Sequence, residues 1–272
     1  MTDGQPIDQP LRGILLRAGL VVLVLAVAGG GVWLLRAATE PDPGPVAPAA
    51  SVPVADVEPG AVVPEQAQPQ AQPQSQPQPQ AGAAGEDPLT TWATRLAGPT
   101  DVPARALMAY GNAELVLRTS TPSCRLSWAT LAGIGRVESN HGRFGGATLR
   151  DDGRPSKPII GVPLDGSAGV RAISDTDGGR FDGDTTADRA VGPMQFIPST
   201  WRKWASDANL DGAGDPQQID DAALAAGRYL CAGGRDLSTP ADWWAAVFSY
   251  NNSVPYGQKV FGLADGYARA AQ

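Results

Sequence analysis

The sequence predicts a mainly α domain over residues 88–272, with at most one short β-hairpin. Three observations point there. Helix-start signals recur along this stretch, with Pro or Ser/Thr just before apolar periodic runs, as in Thr239-Pro240-Ala241-Asp242. Trp128, Leu131 and Ile134 fall at spacings of three and so share one helix face. Strand signals are sparse, confined to Ile159, Ile160 and Val162.

Composition bounds the rest. The chain has 272 residues and a formal charge of −7, an acid balance that argues against nucleic acid as a partner. Its 25 prolines and 33 glycines place much of it outside any core. One histidine excludes a multi-histidine metal site and leaves only His141 for a histidine-assisted nucleophile. Cys124 and Cys231 are either a disulfide or two buried thiols, and the compartment decides between them.

Taken in order, residues 1–11 are polar, and Arg12 and Arg17 complete an N-terminal segment over 1–17. Residues 18–35 form an uncharged apolar run bounded by Arg17 and Arg36, long enough to span a bilayer core, which needs about 17–25 residues. A cleaved signal peptide is the rival reading, but the run exceeds a typical h-region of roughly 7–15 residues and no clear cleavage site follows. A signal anchor with a cytoplasmic N-terminus is therefore preferred. The remainder then lies outside the membrane, where Cys124–Cys231 would be a disulfide. Residues 36–87 read as a Pro/Ala/Gln-rich linker, including QAQPQAQPQSQPQPQ, with a reach on the order of 100 Å at about 3.1 Å per residue.

Within the domain, Thr100 or Asp101 is expected to cap a helix through Arg105–Leu117. A helix beginning after Pro122-Ser123 ends at Glu138, stopped by Ser139, Asn140 and Gly142. Pro198 and Ser199 precede a helix over Thr200–Ala205, and Ser253 with Pro255 opens the last one, through about Ala268. Between them, Gly142–Pro193 is long, irregular and rich in Gly and Asp, and is read as a flap over a groove.

Glu138 sits four residues after Ile134, on the apolar face near the helix end. Desolvation there disfavours its charged form, which suits a general acid. The alternative is a helix-ending glutamate with a solvated head. Ser139 either orients Glu138 or only ends the helix. Asp207-Ala208-Asn209-Leu210-Asp211-Gly212 fits the start of an EF-hand loop, although the usual closing glutamate is Gln218. Asp175-Thr176-Asp177-Gly178-Gly179, with Asp182 and Asp184, is a weaker candidate of the same kind and is read as turn chemistry.

Glu138-Ser139 in VESNHGRFGG, the block GPMQFIPSTW and Tyr250-Asn251-Asn252 resemble the lytic transglycosylases of bacterial cell walls, specifically the membrane-bound lytic transglycosylase B group and its actinobacterial relatives. The resemblance covers residues 88–272 and none of the anchor or linker. It implies a lysozyme-like fold and cleavage of the β-1,4 bond between N-acetylmuramic acid and N-acetylglucosamine, with peptidoglycan strands as partner. In such enzymes one glutamate acts first as acid and then as base while the muramyl C6 hydroxyl attacks C1. Glu138 would carry both roles.

The resemblance also places Gln195, Tyr250, Asn251 and, less closely, Tyr256 around the sugar. Gln195 could instead satisfy loop backbone, and Tyr250 could simply pack beside Trp244 and Val247. Trp201, Trp204, Trp243 and Trp244 are read as core in preference to sugar platforms. The chemistry so implied needs no cofactor. A structural Ca²⁺ is expected on Asp207, Asn209, Asp211, the Ala213 carbonyl and Asp221, the last standing where the group's variant loop closes. A muramidase, in which water attacks, and a non-catalytic wall-binding protein are the alternatives.

Overall fold

The computed structural model describes residues 87–167 and 170–272, and the predicted anchor (18–35) and linker (36–87, all but its last residue) lie outside them. Among the described residues no helix is long and apolar enough to cross a membrane. The domain is predominantly helical, as the sequence predicts. Its helices are α1 (Pro88–Thr100), α2 (Ala104–Ser120), α3 (Trp128–Ser139), α4 (Pro198–Trp204), α5 (Ile219–Leu230), α6 (Pro240–Tyr250) and α7 (Val254–Ala270). Strands β1 (Ile160–Pro163) and β2 (Arg189–Val191) form one antiparallel pair.

The core is built around α3, which packs on α7 and α2, while α2 also packs on α5 and α1. Trp128, Leu131 and Ile134 are fully buried, as their spacing requires. Gly133 permits the close α3–α7 crossing, because a Cβ there would come 2.9 Å from the Val260 carbonyl oxygen. Trp92 meets Trp128 edge-on at 5.3 Å, and the Trp243 indole N–H donates to Thr130 Oγ1 at 3.0 Å. Trp201, Trp243 and Trp244 are buried in the core. Trp204 is half-buried, with Lys203 over its ring. Cys124 and Cys231 form a disulfide across a sequence separation of 107, tying the turn before α3 to the end of α5.

Several boundaries differ from the sequence reading. Thr100 and Asp101 do not cap the second helix. They end α1, with Asp101 left-handed at φ 55°, and α2 starts after Pro103 without a side-chain cap. At α6, Thr239 Oγ1 accepts from the Asp242 N–H, but Asp242 turns its carboxylate to the Asp236 N–H, so the reciprocal half of the capping box is not made. The strand at Ile160 does not pair with a close sequence neighbour. Its partner is β2, beyond the flap, with Ile160 opposite Val191 and Pro163 opposite Arg189.

Helix α3 is held at both ends. Ser127 accepts from the Ala129 N–H, and the buried Glu114 carboxylate accepts from the Trp128 N–H at 2.7 Å, placing negative charge at the positive end of the helix dipole. Near the other end, Gly135 lies against Tyr110, and a Cβ there would come 2.1 Å from the phenol oxygen. Gly135→Ala should therefore destabilise the domain by about 2–4 kcal/mol. The loss should shrink in a Tyr110→Phe background, which removes the nearest clashing atom, and urea unfolding of the four proteins checks this.

Candidate active site

Glu138 occupies the last turn of α3, where the helix stops because Asn140 turns left-handed at φ 53° and its N–H bonds back to Arg136. The side chain is only partly exposed. Burial pushes its carboxyl up to about 7, offset in part by a hydrogen bond from Tyr256. The Tyr256 hydroxyl, from the first turn of α7, donates to Glu138 Oε1 at 2.5 Å. Burial first, and then the Glu138 charge, raises the Tyr256 phenol above the ordinary tyrosine range, so it remains a donor.

Ser139 is buried and fully engaged. Its hydroxyl donates to the Pro193 carbonyl at 2.6 Å and accepts from the Gly142 N–H at 2.8 Å. It thus fastens the far end of the flap to the end of the glutamate helix, a role beyond ending the helix. Tyr250, at the end of α6, donates its hydroxyl to the Met194 carbonyl at 2.7 Å rather than to Glu138. Burial and then the Glu138 charge hold its phenol neutral, so it stands within electrostatic reach of the acid. Asn251 is exposed beside it.

Gln195 is left-handed at φ 49°, in the tight turn that joins Val191 to Phe196 by paired backbone hydrogen bonds. Its amide N–H₂ donates to Gly192 O at 3.0 Å and Ala190 O at 3.4 Å. In this geometry the side chain braces its own turn, and only the amide oxygen, facing Gly161, is left over.

His141 is a loop residue, as the sequence suggests, yet it is completely buried. Its Nδ1 pairs with the Tyr110 hydroxyl at 3.1 Å, and its Nε2 is buried without a partner among the described residues. Burial, then Arg143 and Arg136, lower its pKa to about 3, so it is neutral and structural.

The flap acids are spent on local backbone. Asp175 accepts from Asp177, Gly178 and Gly179, and Asp188 accepts from the Thr176 N–H and hydroxyl. Among the described residues, Asp175, Asp177 and Asp188 are the one set of three or more Asp, Glu, His or Cys ligand atoms lying within 4.8 Å of one another. None of these acids is among the groups that shift Glu138.

The Asp207 loop is wound in turns of the EF-hand kind. Asp207 Oδ2 accepts from Gly212, Asn209 Oδ1 from Asp211, and Asp211 Oδ1 from Ala213. Asp207 Oδ1 is buried with no hydrogen-bond partner among the described residues, an orphan acceptor that a cation would satisfy. Asp221 is committed to the N–H groups of Ala208, Asn209 and Asp215. Asp207, Asp211 and Asp221 are not drawn together as the flap carboxylates are.

No protein-family model matches the chain, and no curated protein matches it in sequence. Among solved structures, the Escherichia coli lytic transglycosylase Slt35 in complex with calcium aligns over 67% of this chain and 79% of its own, at 15% identity and a TM-score of 0.42. Slt35 in complex with bulgecin A aligns over 67% and 78%, at 14% identity and a TM-score of 0.40. SltB3 from Pseudomonas aeruginosa, in complex with NAG-anhNAM-pentapeptide, aligns over 66% and 68%, at 18% identity and a TM-score of 0.38. Likeness of fold does not carry function, so the chemistry rests on the side chains.

Tyr256 is the one residue whose hydrogen bond lowers the Glu138 pKa. Tyr256→Phe should therefore move it further up, shifting the alkaline limb of any Glu138-dependent activity to higher pH. The pH profile of kcat/KM tests this, and an unchanged limb would remove Tyr256 from the site.

Proposed function

We propose that this chain is a peptidoglycan lytic transglycosylase with a lysozyme-like domain. It would cleave the β-1,4 bond between N-acetylmuramic acid and N-acetylglucosamine and leave 1,6-anhydromuramyl ends. The observation that carries this reading is Glu138, raised to about 7 by burial and held by a tyrosine, while the flap acids Asp175 and Asp188 accept hydrogen bonds from their own loop. Two-step and inverting glycosidases need a second carboxylate close to the bond. A reaction in which the substrate supplies its own nucleophile does not.

Protonated Glu138 donates its proton to the leaving O4 of N-acetylglucosamine as the bond from muramyl C1 breaks. The resulting carboxylate, kept in place by the Tyr256 hydroxyl, takes the proton of the muramyl C6 hydroxyl as that oxygen bonds to C1. The glutamate ends as it began, and no water is consumed. Tyr250 and the Met194–Gln195 turn would shape the sugar side of the groove. The disulfide fits an oxidising compartment. With the apolar run at 18–35, it supports a single-pass membrane protein whose domain faces the wall.

A Ca²⁺ held by Asp207, Asn209, Asp211, the Ala213 carbonyl and Asp221 is part of the proposal, supported by the buried, unpartnered Asp207 Oδ1. Its chemistry there would be structural charge neutralisation. Added Ca²⁺ should raise the melting temperature of the wild type by several degrees relative to EDTA, and should leave Asp207→Ala unmoved. Equal melting temperatures of the wild type in both buffers would remove the ion.

The purified chain, incubated with wall sacculi, should release muropeptides lighter by one water than hydrolysed ones when read by mass spectrometry. Reducing muramic ends would make it a muramidase. Glu138→Gln should lower the rate by about 10²-fold or more. It should not cost stability. Folding raises Glu138 from its ordinary 4.5 to about 7, so its contribution is full below 4.5 and is lost as pH rises to 7. The glutamine variant should match the wild type at pH 4 and exceed it by roughly 1–3 kcal/mol at pH 8.

A further inference from the structure

We propose that the shallow pocket walled by Arg150, Arg154, Ser156 and Lys157 receives a carboxylate of the peptide stem on the muramyl sugar, so that the chain selects peptide-bearing over naked glycan. This deepens the peptidoglycan reading and rests on it. The pocket measures about 310 Å³ and is also lined by Asp215 and Gln217.

Hydrogen-bond accounting decides what it can hold. Asp215 is neutralised by Arg154 and also accepts from the Gln217 N–H. The Gln217 amide is used in both directions by Ile159, accepting from its N–H and donating to its carbonyl. The acceptors of the pocket are therefore committed. Its donors are not. Lys157 donates to the Gly145 carbonyl at 2.5 Å and forms no ion pair among the described residues, which leaves N–H groups and its ammonium at the rim. Ser156 Oγ accepts from the Thr148 N–H, which leaves its own proton to give. Arg150 is paired with both oxygens of the exposed Asp152 carboxylate. In a chain of net charge −7, the Ser156 proton and an ammonium with no ion partner among the described residues favour a localised anion over general attraction.

Position ties the pocket to the glutamate. Its wall residue Pro155 lies against Gly142, four residues after Glu138, and Lys157 binds the same loop at Gly145. Two residues beyond Pro158, β1 begins. It pairs with β2, which leads into the Pro193 carbonyl held by Ser139. Stem peptides end in carboxylates and hang from the sugar whose C1 is attacked, so a donor-rich pocket bordering the loop after Glu138 suits that part of the substrate.

The test compares kcat/KM on three glycans: peptide-bearing strands, strands stripped of stems by an amidase, and strands whose stem carboxyls are amidated. Wild type should favour peptide-bearing strands by on the order of three- to tenfold over both others, the scale of one or two exposed charge-assisted contacts. Lys157→Gln keeps a donor for Gly145 but not the charge. It should lose the preference with its rate on stripped glycan unchanged, and Lys157→Arg should restore it. Equal wild-type rates on the three glycans, or a preference that survives in Lys157→Gln with Arg150→Gln, would overturn the pocket while leaving the transglycosylase intact. No turnover of any of the three by wild type would instead remove the transglycosylase reading, and the pocket's role with it.

Discussion

The Ser139 hydroxyl closes the structure at the one place where helix, flap and acid meet. It donates to Pro193 and accepts from Gly142, so a single buried oxygen holds a residue 54 positions away and shapes the turn leaving α3. An unmade bond here would strand a buried carbonyl, which costs more than a typical hydrogen bond contributes. Everything after Pro193 is placed relative to that link. Met194 packs beneath Gly135, and its carbonyl takes the Tyr250 hydroxyl. The end of α6, the end of α3 and the flap therefore share one small region around Glu138.

Within that region the polar groups are arranged so that only one of them titrates near neutrality. His141 is forced neutral by burial and nearby arginines, and Tyr250 and Tyr256 are held protonated. Glu138, at about 7, is left poised between acid and base. A group asked to give a proton and take one back in the same turnover works best with a pKa near the working pH. The environment supplies that value mainly by desolvation, since no like charge contributes to the shift.

Much of this was legible in the sequence where local rules suffice. The buried face of α3, its stop at Asn140, the cap at Ser253 and the core placement of most tryptophans follow from spacing and capping chemistry. Helix α1 lies outside the helices predicted from the sequence, although its signals are present. Asp87 caps it, Pro88 opens it, and Leu89, Trp92 and Leu96 repeat along one face. The linker's composition running up to Pro88 masked that start. What sequence order could not give is the pairing of distant segments. The two-stranded sheet joins residues on either side of the flap, and the choice between Tyr250 and Tyr256 as the partner of Glu138 depends on how α6 and α7 approach α3. The Gln195 side chain illustrates the same limit, since a glutamine in a motif can face a ligand or its own turn, and only its hydrogen bonds to Gly192 and Ala190 show the second.

The Asp207 loop is connected to the acid by backbone. Its Pro216 carbonyl lies so close to Gly192 that a Cβ there would sit 1.7 Å away, and Gly192 is also left-handed at φ 79°. Gly192 donates its N–H to Ile159, whose other neighbour is the Gln217 amide. The loop therefore buttresses the turn that carries Pro193, Met194 and Gln195, one step from Ser139. Whatever fixes the loop's conformation, whether turn hydrogen bonds alone or a cation on Asp207, acts on the site through position. Its effect would fall on the alignment of flap and helix, and not on the charge of Glu138, whose pKa is set by burial and Tyr256.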